Sequence, residues 1–455
     1  MFCVFALASA AAVSQTGSRT AILAPTPPLG WNSWDAYGFT ITEAQFKANV
    51  TWFHQHLQPY GWQYVVIDEG WYIAHPGKYA GPGSITLSAD GRYLPAANRF
   101  PSTANGQGFK PIADYVHSLG LKFGIHIIRG IPREAVYKNL PIANSGFLAG
   151  KAANLLDTCR WNADNYGVKD NAAGQAYYDS ILRLYASWGV DFLKVDCISS
   201  PYKAASIRMI DTAIKKTGRP IVLSLSPGPT PLADAADVMQ HAQLWRISND
   251  FWDGWTLPRD ETGFPQGLKD QFPLLAQWAS YAGPGHWPDA DMLPIGYLGP
   301  HPGWGSARQS RLTAVETRTL ITLWSIARSP LILGANLTRM DAATESLLTN
   351  PEVLAVDQHT TGNRPVIEIG PGGAQQTGNI VIWTAHEGPD TILAFFNRTG
   401  AYSIVKVSRW SKLDAQLDKS GYRVRDLWLR KDLGRKSSIA VSLPAHGCAL
   451  YRLSE

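Results

Sequence analysis

Short apolar runs alternate with helix-like segments over most of the chain, from residue 27 to about residue 337. Several of the runs are continuously apolar, as expected of parallel strands that are buried on both faces of a sheet. Eight runs are predicted to be strands: residues 29–34, 64–68, 122–128, 192–196, 221–226, 244–248, 286–292 and 330–334.

Three intervening segments have a helical spacing of apolar residues and stop at a glycine, which readily adopts the conformation of a helix C-terminus. They are residues 107–119, 174–188 and 204–217, followed by Gly120, Gly189 and Gly218. Eight strand–helix units predict the α/β class, as a (β/α)8 TIM barrel; an open doubly wound sheet is the alternative. No Gly-x-Gly-x-x-Gly motif follows the first strand, which disfavours a nucleotide-binding sheet.

The pattern changes after residue 350 to short, mostly alternating segments separated by turn residues. Such segments predict a small antiparallel β-sandwich. They are residues 379–384, 391–397, 402–407, 422–426 and 438–443. We therefore predict a barrel domain over residues 24–358 and a C-terminal β-sandwich domain over residues 366–455, with the boundary in residues 360–365.

Residues 1–23 are predicted to be a signal-like or disordered N-terminus. Residues 2–13 are largely apolar, with small residues at positions 9–11, as in the core and cleavage region of a secretory signal. The basic N-terminal region of such a signal is missing, and a disordered apolar tail is the alternative. If the segment is a signal, the protein is secreted or periplasmic.

Charge and composition exclude several classes of partner. Lys and Arg number 41 against 36 Asp and Glu, a formal net charge of +5. The basic residues are spread along the chain and no apolar run reaches the roughly 18–20 residues of a membrane span, so we predict neither a nucleic-acid nor a membrane partner. The 17 Trp, 18 Tyr and 15 Phe residues build a core or line a site for flat-faced ligands such as sugars. The sequence does not indicate an oligomeric state.

Several predicted strands end in acidic residues, and the carboxyl ends of barrel strands are where barrel enzymes carry their chemistry. A single acid at such a place is usually a helix cap or a loop charge, but four strand ends carry acids: Asp68 with Glu69, Asp196, Asp250, and Asp289 with Asp291. Tryptophans lie within a few residues of these ends. An acid-rich, Trp-lined mouth suggests a glycosidase, which needs one carboxylate as nucleophile and another as acid/base.

A metal-dependent hydrolase is a competing interpretation, because His126, His286, Asp289 and Asp291 could converge at the mouth. No His-x-His or His-Glu-x-x-His motif supports it. We therefore predict no metal and no cofactor.

Many motifs in order resemble glycoside hydrolase family 27, the α-galactosidase and α-N-acetylgalactosaminidase family. They include PLGWNSW at 28–34, YVVIDEGW at 64–71, WGVDFLKVD at 188–196, WRISND at 245–250 and DADML at 289–293. The resemblance implies a barrel followed by a β-sandwich, a carbohydrate substrate, and a retaining O-glycosyl hydrolase that releases terminal α-D-galactose. It also admits β-L-arabinopyranosidases and α-N-acetylgalactosaminidases as alternatives.

The resemblance places the nucleophile at Asp196 and the acid/base at Asp250. Lys194 lies two residues before Asp196 on a strand, so both side chains point to the same face and the ammonium would keep Asp196 ionised. Asp253 is a rival for the acid/base, but the spacing from Arg246 favours Asp250. A non-catalytic carbohydrate-binding protein is a further alternative, and retention of Asp196, Asp250 and Arg246 argues against it.

The resemblance also implies the sugar-binding residues. Trp34 would be a stacking platform, Asp68 and Lys194 would bind hydroxyl groups, Arg246 would lie at the 2-position, and Asp291 would form part of the pocket wall.

Three positions of the predicted pocket depart from the family pattern. Glu69 stands where α-galactosidases typically have Asp; the longer side chain would crowd the C6 hydroxymethyl group, which L-arabinopyranose lacks, and some family members with Glu here prefer β-L-arabinopyranosides. His126 stands where the family often has Tyr, and we expect a neutral imidazole in the pocket wall. Ser226 is small, which leaves open a 2-hydroxyl or a 2-acetamido group.

The family places a disulfide beside the nucleophile, and Cys159 and Cys197 could form it. The second cysteine directly follows Asp196 instead of lying two residues beyond it. Two free buried thiols are therefore the alternative.

Overall fold

The computed structural model describes residues 22–77, 85–369 and 378–455. Its first domain contains an eight-stranded parallel sheet in which β1 pairs with both β2 and β8, and β2 to β7 are neighbours in chain order. A parallel bridge between Leu293, just beyond β7, and Leu333 of β8 closes the ring. The strands are β1 Leu29–Asn32, β2 Tyr64–Ile67, β3 Lys122–Ile128, β4 Phe192–Asp196, β5 Val222–Leu225, β6 Leu244–Arg246, β7 Trp287–Asp289 and β8 Leu331–Leu333.

Each strand is followed by a helix, which confirms the (β/α)8 barrel. The helices are α1 Glu43–His56, α2 Lys110–Ser118, α3 Ala172–Trp188, α4 Ala204–Thr217, α5 Ala235–His241, α6 Leu268–Trp278, α7 Ala314–Ala327 and α8 Pro351–His359. The predicted stops of α3 and α4 are found at Gly189 and Gly218, whose φ angles of +89° and +72° favour glycine. Shorter helices are Trp34–Tyr37, Arg133–Tyr137, Ala149–Ala152 and Ala342–Leu348.

The alternation of side chains along the strands separates two apolar clusters. Alternate residues such as Val65 and Leu193 pack in the large cluster with the surrounding helices. Their neighbours on the other face form a separate cluster that fills the base of the barrel: Tyr64, Val66, Phe192, Val222, Leu244 and Trp287. Because side chains two apart share a face, the polar residues that continue this inward series point to the mouth.

The C-terminal domain is an antiparallel β-sandwich, as predicted. Its six-stranded sheet has the order β9–β10–β11–β16–β13–β14, and β12 pairs with β15 opposite it. The strands are β9 Thr361–Ile369, β10 Ile380–Glu387, β11 Asp390–Asn397, β12 Ser403–Val407, β13 Tyr422–Asp426, β14 Lys431–Lys436, β15 Ile439–Leu443 and β16 Cys448–Ser454. Strand β9 begins inside the stretch predicted as a boundary, because residues 361–365 already pair with β10.

The six-stranded sheet packs on both faces. On β10, Val381, Trp383 and Ala385 belong to the large barrel cluster, whereas Ile382 belongs to the sandwich cluster. Helix α7 lies at this junction, where Thr319 Oγ1 donates to the carbonyl of His446 at 2.7 Å. The apolar content of β10 and β11 therefore exceeds that of a sheet with one face in water.

Loops at the barrel mouth carry their own small sheets. After β3, the strands Ile131–Pro132, Ala153–Thr158 and Asn165–Val168 form an antiparallel sheet that we call the β3 excursion, residues 129–171. After β7, Tyr297–Leu298 pairs with Arg308–Gln309.

Two predictions concern the N-terminal segment and membrane-spanning helices. The signal-like segment lies outside them except for Ile22 and Leu23. Within the described ranges, no helix is long and apolar enough to cross a membrane.

Candidate active site

Neighbouring barrel strands place the predicted site residues at one end of the barrel. The register aligns His126 of β3 with Lys194 of β4, and Lys194 with Ser224 of β5. Asp196 lies one inward step above Lys194, and Arg246 of β6 aligns with Asp289 of β7. These side chains continue the inward series above the apolar base, so the pocket is polar at the top and sealed below.

Asp196 is held in its charged form by a buried hydrogen bond. Its Oδ2 lies 2.8 Å from His126 Nε2, and only 12% of its side chain is exposed. Burial alone would raise the pKa of Asp196, but the Lys194 charge and the His126 hydrogen bond hold that pKa well below its usual range. Among the described residues, nothing donates a hydrogen bond to Asp196 Oδ1. His126 thus orients one carboxylate oxygen, and the other oxygen is buried.

His126 lies in the pocket wall, as expected, and is completely buried. Burial alone would lower the pKa of His126, but the negative charges of Asp68 and Asp196 raise it above its ordinary value. This shifts the ring away from the neutral imidazole that we expected and towards imidazolium. The ring therefore adds to the positive charge that keeps Asp196 ionised.

Lys194 and Asp68 form a buried ion pair, with Nζ 2.9 Å from Asp68 Oδ2. Asn32 of β1 donates to the same oxygen at 2.6 Å. Burial alone would lower the pKa of Lys194, but the charges of Asp68 and Asp196 raise it above its usual value. Both groups are therefore charged and fixed, as hydrogen-bonding partners of sugar hydroxyls need to be.

Glu69 reaches the centre of the site. One ligand atom each from Glu69, His126 and Asp196 lies within 4.8 Å of the other two. The Glu69 carboxylate accepts a hydrogen bond from Asn162 Nδ2 at 2.7 Å. Burial, aided by the negative charge of Asp196, raises the pKa of Glu69 to about 8. At neutral pH Glu69 is therefore mainly a neutral carboxyl beside a carboxylate.

Asn162 was not predicted as a site residue. It lies in the β3 excursion, 93 residues from Glu69 along the chain. A single polar residue in a loop has no periodicity that could mark it. The only available signal was its position three residues after Cys159.

Arg246 connects the second half of the pocket. Its Nη1 lies 2.7 Å from Asp291 Oδ1, and its Nη2 lies 3.2 Å from Asp250 Oδ1. Arg246 Nη1 also lies 3.5 Å from Ser226 Oγ. Asp291 accepts two backbone N–H groups in addition, from Phe251 and Met292, both at 2.8 Å. The guanidinium is therefore fixed in a position where it contacts Asp250 directly.

Asp250 and its rival Asp253 lie in different environments. The side chain of Asp250 is 41% exposed, whereas that of Asp253 is fully buried. Asp253 pairs with Arg308 at 2.6 Å and with Arg311 at 3.0 Å. A carboxylate held by two arginines cannot readily give and take a proton, which favours Asp250 over Asp253 as the acid/base.

Asp35 is a second pocket residue that the sequence analysis missed. It is buried beside Gly334, and its Oδ2 has no hydrogen-bond partner among the described residues. Burial, together with the negative charge of Asp291, raises the pKa of Asp35 well above its usual range. A Cβ atom at Gly334 would lie 1.8 Å from that oxygen, so only glycine leaves room for Asp35. Its position directly after Trp34, three residues beyond β1, was a usable signal.

Trp34 lies at the mouth and is half-buried. Its indole meets Phe39 edge-on at 5.1 Å between ring centroids and packs with the cluster around Trp252 and Leu298. The backbone N–H of Trp34 donates to Asn32 Oδ1 at 2.8 Å, which links it to the Asp68 pair. The partly exposed ring keeps surface available for a ligand.

Cys159 and Cys197 form a disulfide, which decides between the two alternatives left open by the sequence. Arg129 supports it from below, donating to the Cys197 carbonyl at 2.8 Å and pairing with Asp157 at 2.7 Å. Cys197 directly follows Asp196. The disulfide therefore ties the β3 excursion to the strand end that carries the predicted nucleophile.

The predicted metal alternative does not describe the observed grouping. Within the described residues, the one close set of possible metal ligands is Glu69, His126 and Asp196, and it lacks His286, Asp289 and Asp291. The His126 hydrogen bond and the Lys194 charge already balance Asp196. His126 and Asp196 are hydrogen-bonded to each other, and Glu69 is hydrogen-bonded to Asn162.

Comparison with known proteins supports this view of the fold. A family model described as alpha galactosidase A matches residues 164–359, and one for the alpha galactosidase C-terminal beta sandwich domain matches residues 377–453. A solved β-L-arabinopyranosidase from Geobacillus stearothermophilus, in complex with arabinose, is 43% identical with a TM-score of 0.88, covering 95% of this chain and 98% of that chain.

Curated relatives are more distant. Alpha-galactosidase A of Cellvibrio japonicus is 28% identical over 95% of this chain and 93% of its own length. Alpha-galactosidase of Oryza sativa subsp. japonica is 27% identical over 95% of this chain and 85% of its own. The barrel, the sandwich and these relatives define a glycosidase of the α-galactosidase type. The chain belongs to glycoside hydrolase family 27.

Proposed function

We propose that this protein is a retaining exo-glycosidase that removes terminal β-L-arabinopyranosyl units, with terminal α-D-galactosyl units as poorer substrates. The observation that carries the proposal is the position of Glu69, whose carboxylate lies within 4.8 Å of the ligand atoms of Asp196 and His126. The arabinopyranosidase from Geobacillus stearothermophilus, at 43% identity, gives independent support.

In the first step, the Asp196 carboxylate attacks the anomeric carbon. His126 holds its Oδ2, and the Lys194 charge favours the charged form. The bond to the leaving group breaks as Asp250 protonates the departing oxygen. Asp250 is the more exposed of the two carboxylates, as a group that exchanges protons with solvent needs to be.

In the second step, Asp250 takes a proton from water, and the water attacks the anomeric carbon. The bond to Asp196 then breaks, and the sugar leaves with its original anomeric configuration. Arg246, 3.2 Å from Asp250, attracts the carboxylate that Asp250 becomes between the two steps. Its second contact, with Asp291, keeps the guanidinium in place while Asp250 loses and regains its proton.

Substrate choice follows from how firmly Glu69 is held. Asn162 donates to it at 2.7 Å, and the side chain is almost fully buried. L-Arabinopyranose has the ring configuration of galactose without the C6 hydroxymethyl group, so it fits without moving Glu69. A clash of about one methylene group changes kcat/KM by roughly 10–200-fold, so galactosides remain substrates.

An α-galactosidase is the second candidate. The curated relatives from Cellvibrio japonicus and Oryza sativa subsp. japonica carry that name, at 28% and 27% identity. An α-N-acetylgalactosaminidase is the alternative that the small Ser226 leaves open at the 2-position. A non-catalytic carbohydrate-binding protein would turn over no substrate.

Comparing the nitrophenyl β-L-arabinopyranoside, α-D-galactoside and α-N-acetylgalactosaminide tests the proposal. We expect kcat/KM to be highest for the arabinopyranoside, about tenfold or more above the galactoside. A galactoside that is turned over as fast, or an acetamido sugar that is turned over faster, would overturn the substrate assignment. Proton NMR of the first product should show the β-anomer of L-arabinopyranose if the configuration is retained.

Export from the cytoplasm belongs to the same proposal. The apolar, signal-like residues 2–13 support it, and a disulfide between Cys159 and Cys197 fits an oxidising compartment. Fractionation of expressing cells tests it: activity that stays entirely in the cytosol, with both thiols reduced, would contradict export.

A further inference from the structure

Trp161 is unlike the other tryptophans of the chain. All 17 lie in the described part, and Trp161 is the one with an exposed side chain, with 49% of its surface accessible. Its indole forms no ring contact and no hydrogen bond with the described residues. The ring therefore does not serve the core, and its flat face is accessible.

The backbone around Trp161 is fixed on both sides. Two residues before it, Cys159 is bonded to Cys197. One residue after it, Asn162 donates to Glu69 at 2.7 Å and accepts the backbone N–H of Asp164 at 2.8 Å. The indole is thus attached to a short turn held at both ends by residues of the site.

These attachments place Trp161 at the rim of the pocket. Cys197 directly follows Asp196, and Glu69 lies within 4.8 Å of Asp196 by their nearest ligand atoms. The barrel is sealed below by its apolar base, so a substrate enters and projects from the mouth alone. The terminal sugar lies against the buried polar residues of the pocket, and the part of the substrate that extends beyond them is the leaving group.

We propose that Trp161 is a binding platform for the leaving group, accepting the apolar C–H face of a pyranose ring against its indole. The inference rests on the proposed glycosidase function. A sugar ring presents C–H groups on its face, and an aromatic face carries the negative side of its quadrupole, so the two attract. Because the turn is already fixed, little conformational entropy is lost when the ring binds.

Two substrates with the same terminal sugar separate this subsite from the pocket. One is the glycosyl fluoride, whose leaving group is a single atom and cannot reach Trp161. The other is a disaccharide whose leaving group is a pyranose. We compare kcat/KM of both for wild type, Trp161→Ala and Trp161→Phe, with Leu156→Ala as control. Leu156 lies in the same β3 excursion and is 96% exposed.

In Trp161→Ala we expect kcat/KM for the disaccharide to fall about three- to tenfold, with the fluoride changed less than twofold. Trp161→Phe should recover part of the loss, and Leu156→Ala should change neither substrate. Transfer of the glycosyl group to an added pyranoside instead of water should fall in parallel, because the acceptor uses the same platform.

Equal losses on both substrates, or an unchanged disaccharide, would overturn the platform. Wild-type protein that turns over neither substrate would overturn the proposed function itself, and with it this subsite. Trp161 is exposed, so thermal unfolding of the variants should match wild type and exclude misfolding.

Discussion

Asn162 Nδ2 donates a 2.7 Å hydrogen bond to Glu69 Oε1 across 93 residues of sequence. Glu69 follows β2, whereas Asn162 belongs to the β3 excursion, which the disulfide from Cys159 ties down. The Glu69 carboxyl, which we propose to discriminate between sugars with and without a C6 hydroxymethyl group, is thus positioned by a loop and not by its own strand. Substitutions in that loop should therefore alter substrate preference even at residues that do not contact the sugar.

Glu69→Asp should raise the ratio of galactoside to arabinopyranoside kcat/KM. The shorter side chain retreats from the place of the C6 hydroxymethyl group, and the expected change is about tenfold, within the roughly 10–200-fold range of a methylene-scale clash. Kinetics with both nitrophenyl glycosides measures it. Glu316→Asp is the matched control, because Glu316 is a buried glutamate that pairs with His446 away from the pocket. An unchanged ratio in the Glu69 variant, with both activities measurable, would show that Glu69 does not read C6.

Asp196→Asn and Asp250→Asn should lose activity in different ways. Without the nucleophile, turnover should fall at least about 10³-fold on every substrate. Without the acid, a disaccharide should lose about 10²–10⁴-fold, whereas a nitrophenyl glycoside should lose much less, because its leaving group needs little protonation. Steady-state kinetics on both substrate types makes the comparison. Equal losses of Asp250→Asn on the disaccharide and the nitrophenyl glycoside would show that Asp250 is not the acid.

Asp253→Asn provides the control for the acid. It replaces a buried carboxylate that pairs with Arg308 and Arg311, so thermal unfolding should occur at a lower temperature. The folded fraction should keep near wild-type dependence on the leaving group. A leaving-group dependence like that of Asp250→Asn would instead make Asp253 the acid.

Activity should depend on pH through Glu69. Burial, aided by the charge of Asp196, raises the pKa of Glu69 from 4.5 to about 8. Above that pH two carboxylates face each other, so kcat/KM should fall, and Glu69→Gln should move this limb to higher pH. The raised pKa also means that the contribution of Glu69 to stability is fully present below pH 4.5 and is lost as pH rises through about 8. Unfolding by urea across this range should show a smaller decline in Glu69→Gln; an equal decline would contradict the assignment.

Gly334→Ala should destabilise the barrel because its Cβ would lie 1.8 Å from Asp35 Oδ2. We expect a loss of about 1–3 kcal/mol in the free energy of unfolding, the usual cost of overpacking. Gly400→Ala is the matched control, since nothing lies within 4 Å of a Cβ there. In an Asp35→Ala background the cost of Gly334→Ala should shrink. An undiminished cost would place the clash elsewhere.

Removing the disulfide should loosen substrate choice as well as stability. The double variant Cys159→Ser, Cys197→Ser opens a loop with a sequence separation of 38 residues, and should lose about 2–4 kcal/mol. Because Asn162 is then less firmly placed, the ratio of galactoside to arabinopyranoside kcat/KM should rise. Cys448→Ser, which changes the free cysteine, should alter neither property. A stable double variant with unchanged ratio would separate the disulfide from Glu69.

Much of the fold could be predicted because its signals are local. The predicted strands overlap all eight barrel strands, several of them as continuous apolar runs, and Gly189 and Gly218 marked two helix ends. Strands β9, β14 and β16 were missed. For β9 the reason is that Gly362 and Pro365 resemble a linker, and the pairing of its residues 361–365 with β10 is a contact between distant residues. Local pattern cannot reveal such a contact.

The site divides in the same way. The placement of Asp196, Asp250 and Lys194 at the barrel mouth could be predicted, because each lies in or just after a recognisable strand and matches a family motif; their roles stay predictions. Asn162 could not, since its role depends on a loop meeting Glu69 in space. The Cys159–Cys197 bond remained open for the same reason: sequence gives the spacing of two thiols but not the distance between them.

Strand β10 faces two cores at once, with Val381 and Trp383 towards the barrel and Ile382 towards the sandwich. A shortened gene that encoded the barrel alone would leave its share of this apolar junction in water, where such a surface promotes aggregation. We therefore expect the two domains to be inherited together. Recombination can attach new modules beyond the last strand, but it cannot exchange this sandwich for another without recreating the same apolar sheet.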